Sequence, residues 1–129
     1  MRVLLDTSRL IDAFRGEAEI VKTLERAAEV WIPFVALAEI KAGFLGGGRP
    51  GENEGLLHAF LRLPGVGVLF ADSETTDVYA RLFLQLRKAG TPIPTNDLWI
   101  ASLAVQHQLV LLSRDEHFRK VPQVSTGVS

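Results

Sequence analysis

Cysteine is absent from the 129 residues. Without thiols there is no disulfide framework and no thiolate metal site, and a reducing cytoplasm is the expected compartment. Long apolar runs are absent too. None approaches the roughly 20 residues of a membrane helix, and Asp6 and Arg9 break the first apolar run before a cleavable leader could form. No membrane partner is therefore expected. There are no repeats, and the one stretch that reads as flexible is "GGGRPGENEG" at 46–55. Charge of one sign is also missing, since the net charge is −1. That balance argues at first against a nucleic-acid partner. It leaves the question open, because gathering a few acids into one site would leave the rest of the surface mildly basic. Hydrophobic residues make up 47% and charged residues 22%, the balance of a globular protein, and the length predicts a single domain over 1–129.

The apolar pattern alternates between strands and helices. Strands are predicted at 2–6, 30–32, 66–70 and 109–112, with a last one at 123–126. Helices are predicted at 8–15 (capped by Ser8), 17–29, 34–45, 52–62, from Ser73 to Gly90, and at about 96–107. This order implies an α/β fold, with a mainly parallel sheet of four to five strands and helices on both faces. In such sheets, sites form beyond the C-terminal ends of the strands.

Four acids stand in unusual company. Asp6 ends the apolar run "VLL", where it either caps the next helix or is held at the sheet edge for chemistry. Asp97, in "PTNDLWIASLAV", suits a first helical turn capped by Thr95 or Asn96, yet helical spacing puts it on the side of Ile100, Ala101 and Ala104. Glu39 lies inside the apolar helix "FVALAEIKAGF" among small neighbours. Its one nearby base, Lys41, points to another side. Asp115 follows "LVLL", where a turn aspartate is equally ordinary. Gathered at one sheet edge, such carboxylates repel unless protonated or bridged by cations. Oxygen donors without His or Cys suit Mg²⁺ or Mn²⁺. His58, His107 and His117 show no metal-ligand spacing and are read as structural.

Three motifs, "VLLDTSRLID", "VALAEIKAGF" and "PTNDLWIASLAVQHQLVLLSRDEHF", carry the acids in the order Asp, Glu, Asp, Asp. Together they resemble the PIN-domain family, and within it the VapC toxin branch, over nearly the whole chain. The resemblance implies a Mg²⁺- or Mn²⁺-dependent endoribonuclease. It would cleave RNA by in-line attack of metal-activated water, leaving 5′-phosphate and 3′-hydroxyl ends. Asp6 and Asp97 would be the principal metal ligands, and Glu39 would complete the acidic pocket. Asp115 stands where the family carries Asp or Asn. Thr7 and Ser113 stand where it often has small hydroxyl residues, which would orient ligands or a phosphate. The resemblance also implies a homodimer and a cognate antitoxin that lies along a groove near the pocket. Related readings are an RNA-processing PIN nuclease without an antitoxin, and a PIN-fold RNA-binding module with little turnover.

Other phosphate chemistries fit less well. A HAD-type phosphatase needs a second Asp where Ser8 stands. A receiver domain has Asp72 after a strand but lacks an acid adjacent to Asp6. "GFLGGGRPG" lacks the Lys-Ser/Thr ending of a P-loop.

Overall fold

The computed structural model describes residues 1–127. β1 (Arg2–Leu5) leads through α1 (Thr7–Phe14) and α2 (Ala18–Arg26) to β2 (Glu29–Pro33). α3 (Phe34–Gly46) and α4 (Pro50–Leu61) then precede β3 (Val66–Leu69). α5 (Ser73–Lys88) and α6 (Thr95–His107) carry the chain back to β4 (Val110–Leu112). A 3₁₀ turn (Glu116–Lys120) and the short β5 (Ser125–Thr126) follow.

The five strands form one sheet in the order β3-β2-β1-β4-β5. Every pairing is parallel, so the sheet is wholly and not just mainly parallel. Its central strands are continuous apolar runs because both faces are covered. Leu4 and Leu111 face α5 and α6, packing with Val78, Leu82, Leu86, Ile100 and Leu103. Val3, Leu5, Val30, Ile32 and Leu112 face the other way, against Leu10, Ile20, Ile40 and Leu57 from α1 to α4. After β1 the chain winds outward to β2 and β3, then returns to β4 on the other side of β1. The reversal falls between β1 and β4, and in such folds a crevice opens there at the C-terminal strand ends.

Several local expectations are corrected. The helix predicted over 17–29 stops at Arg26, and Ala27 is extended. Ala28 donates its N–H to Met1 O at 2.8 Å, and Glu29 pairs with Arg2, so strand pairing overrides the helix propensity of the two alanines. The helix predicted at 52–62 begins two residues earlier, at Pro50. Helix α4 thus starts within the glycine-rich stretch, helped by Pro50 at its start and Glu52 in its first turn.

Three caps also differ. Asp6, not Ser8, caps α1, and Asp72, not Ser73, caps α5. α6 begins after Pro94 with no side-chain cap from Thr95 or Asn96. Asp72 forms a reciprocal capping box with Thr75, and Gln106 Nε2 donates to it at 2.9 Å. The hydrogen bond from Gln106, then that from the Thr75 backbone, hold its carboxyl below the usual range. The acid that follows β3 thus has a structural role.

Gly67 is required by packing. It lies opposite Trp31 in the β2–β3 register, and a Cβ there would come within 2.8 Å of the indole ring.

Candidate active site

Because β1 and β4 are neighbours in register, Asp6 and Ser113 emerge side by side at their C-terminal ends. The backbone N–H of Asp6 donates to Leu112 O at 3.3 Å, which continues the ladder into the site. The Asp6 side chain is buried, only 5% exposed, and each of its oxygens is engaged. Oδ1 accepts the Arg9 N–H at 2.9 Å and so caps α1. Oδ2 accepts the Ser113 hydroxyl. The two readings of Asp6 are thus compatible, because one carboxylate both caps a helix and faces the crevice.

Asp97 comes to the same place from the first turn of α6, and Asp115 from the turn after β4. Burial raises the Asp6 pKa above the ordinary value, and the nearby charges of Asp115 and Asp97 push it the same way. The hydrogen bonds from Ser113 and the Arg9 backbone oppose that rise without cancelling it. Ser113 also accepts the Asp115 N–H at 2.9 Å, so a single hydroxyl links the two carboxylate residues.

His117, which the sequence reading set aside, belongs to this cluster. Its Nδ1 lies 2.8 Å from Asp97 Oδ2 and 3.0 Å from Asp115 Oδ1. The first turn of the 3₁₀ segment brings it there, with the His117 N–H donating to Asp115 Oδ1 at 2.9 Å. Asp97, Asp115 and His117 each offer one donor atom, all within 4.8 Å of one another. The signal in the sequence was the Asp-x-His spacing after a strand, which is informative once the turn is known to form.

Glu39 is exposed and is not one of the three grouped donors. Its Oε1 accepts the Thr7 hydroxyl at 3.0 Å, which ties α3 to the residue after Asp6. Lys41 lies 3.9 Å from Glu54, so an ion pair with Lys41 does not explain Glu39. Beside it runs a groove of about 420 Å³ lined by Thr7, Phe14, Glu39, Phe44 and Leu56 among others.

A second network braces the site. Asp12 on α1 accepts from Arg9 Nη1 at 2.9 Å and from Arg114 Nη2 at 2.7 Å. Arg114 stands between Ser113 and Asp115, so α1 and the β4 turn are clamped together. Arg9 is only 3% exposed, and its Nε and Nη2 find no partner among the described residues.

The donors are carboxylate oxygens and one imidazole nitrogen, and Asp6 is disfavoured as an anion first by burial and then by the charges of Asp115 and Asp97. A divalent cation offsets that repulsion, so the residues present fit such an ion.

A wholly parallel sheet with carboxylates gathered at its switch point is a layout that can hold a divalent cation and a phosphate group. The PIN domain profile matches residues 3–124, and the chain belongs to the PIN domain family. It is 30% identical over 125 residues to "Ribonuclease VapC4" of Mycobacterium tuberculosis, covering 95% of this chain and 93% of that protein. Its fold matches that of VapBC2 from Rickettsia felis bound to a DNA fragment from their promoter, with a TM-score of 0.88, 24% identity and 98% of each chain covered. It also matches VapBC-5 from Mycobacterium tuberculosis, a member of the VapBC family of toxin-antitoxin systems. There the TM-score is 0.72 at 23% identity, with 97% of this chain and 94% of that chain covered.

Proposed function

We propose that residues 1–129 form one PIN domain that acts as an endoribonuclease toxin, dependent on Mg²⁺ or Mn²⁺ and restrained by a cognate antitoxin. The observation that carries this reading is the buried Asp6 carboxylate facing Asp97 and Asp115, in a chain 30% identical to a VapC ribonuclease. An RNase of this kind meets its RNA and its antitoxin in the cytoplasm. Among the described residues, no helix is long and apolar enough to cross a membrane.

A bound divalent cation supplies Lewis-acid stabilisation of the phosphate oxygens and a more acidic water. Asp6 and Asp97 would be its principal ligands, with Asp115 beside them. Ser113 and the Arg9 N–H hold Asp6 in one rotamer, so its oxygens need no reorganisation when phosphate enters. Glu39, which accepts the hydroxyl of Thr7 next to Asp6, would complete the acidic pocket and position the attacking water. The expected products carry 5′-phosphate and 3′-hydroxyl ends. The apolar groove beside Glu39 suits an extended antitoxin segment that ends near the carboxylates, and the toxin pairs with a second copy of itself.

Asp6→Asn and Asp97→Asn test the assignment in an RNA-cleavage assay. Each substitution is expected to slow cleavage at least about 100-fold, roughly 2.7 kcal/mol of transition-state stabilisation. Folded variants with wild-type rates would exclude these residues as ligands.

A further inference from the structure

The metal-dependent reading above leaves open which ion the pocket prefers, and the inference drawn here rests on that reading. A site built of carboxylates alone suits Mg²⁺, a hard ion that takes oxygen donors and keeps several waters. An imidazole nitrogen changes that balance, because it favours transition-metal ions over Mg²⁺. The placement of His117 bears directly on this. Its Nδ1 is 2.8 Å from Asp97 Oδ2 and 3.0 Å from Asp115 Oδ1. Two adjacent ligands on an octahedral ion, with bonds of about 2.1 Å, stand about 3.0 Å apart. Both separations are therefore those of a coordination edge. The main chain at His117 is also fixed, since its backbone N–H donates to the same Asp115 oxygen at 2.9 Å. The side chain is 40% exposed, which leaves Nε2 free to keep its proton and bond to water.

We propose that His117 Nδ1 is a ligand alongside Asp97 and Asp115, and that this nitrogen gives the site a preference for Mn²⁺ over Mg²⁺. The imidazole and the two carboxylates then form a mixed nitrogen and oxygen donor set. Asp6, deeper in the crevice, adds a further carboxylate. Without an ion, the contacts at Nδ1 keep both carboxylates beside the imidazole, with the three donor atoms within 4.8 Å of one another. His117 therefore pre-sets the pocket as well as selecting what fills it.

Binding of Mn²⁺ and Mg²⁺ to the full chain tests this independently of turnover. Calorimetry on wild type, His117→Gln and Asp97→Asn reads affinity, and pulsed electron paramagnetic resonance of bound Mn²⁺ reads nitrogen coordination. Wild type is expected to show coupling of Mn²⁺ to an imidazole ¹⁴N, and His117→Gln to lack it. His117→Gln is also expected to weaken Mn²⁺ at least about tenfold, while Mg²⁺ changes by less than about threefold. Bound Mn²⁺ without ¹⁴N coupling in wild type would overturn the proposal, as would equal weakening of the two ions. Asp97→Asn separates the two claims. If it leaves Mn²⁺ affinity intact, the carboxylate site itself is misplaced, whatever His117 does.

Discussion

Asp6 carries two structural obligations and one chemical one. Its Oδ1 caps α1, its Oδ2 takes the Ser113 hydroxyl, and its charge is disfavoured first by burial and then by Asp115 and Asp97. A carboxylate whose folded pKa lies above its unfolded value binds its proton more tightly in the native state. Its contribution to stability is therefore fully present below the unfolded pKa and is lost as pH rises through the folded one. In chelator, Asp6→Asn should melt above wild type at neutral pH, and the gap should narrow as pH falls from about 8 to about 4. Thermal melts of the two proteins across that range check it. A gap that widens at low pH would mean that the native fold favours the charged form, against the burial that raises its pKa.

The elements meet at the site through a clamp that sequence patterning does not reveal. Asp12 on α1 holds both Arg9 and Arg114, and Arg114 lies in the turn that carries Ser113 and Asp115. Arg9 is almost wholly buried, and without Asp12 its guanidinium keeps only the longer contact to Glu17 Oε2 at 3.5 Å. Asp12→Ala should destabilise the fold by about 1.5–3 kcal/mol, whereas Arg9→Met, which removes the buried charge itself, should be near neutral or stabilising. Denaturant unfolding measures both. A harmless Asp12→Ala would show that the clamp contributes nothing.

The strands are legible because apolar runs end in polar turns, and the order of acids along them marks the crevice. Helix caps are harder to read. Ser8 and Ser73 have the right chemistry, yet each preceding aspartate does the capping, since the helix begins one residue after it. His117 was hidden for a related reason: its place depends on a 3₁₀ turn set by the Asp115 side chain, and no apolar periodicity announces that turn.

For the whole molecule, the grooves on one side matter as much as the crevice. One of about 420 Å³ adjoins Glu39, and another of about 440 Å³ lies between α2 and the end of α4, lined by Val21, Leu24, Phe60 and Leu63. Leu45, Leu56 and Leu63 remain exposed. On the proposed reading these surfaces are covered by the antitoxin. Expression alone should arrest growth, co-expression of the adjacent antitoxin gene should relieve the arrest, and Asp97→Asn should be harmless. Growth of the native host unaffected by soluble wild-type protein, with no antitoxin present, would remove the toxin assignment and leave the nuclease assignment standing.

The most direct measurement is cleavage of a structured RNA by the purified protein as divalent cation is removed and returned. Cleavage should occur with Mg²⁺ or Mn²⁺, stop in excess EDTA, and resume when either ion is restored, with 5′-phosphate ends on the products. Cleavage that continues undiminished in EDTA would contradict the assignment of the carboxylate crevice as a metal-dependent nuclease site.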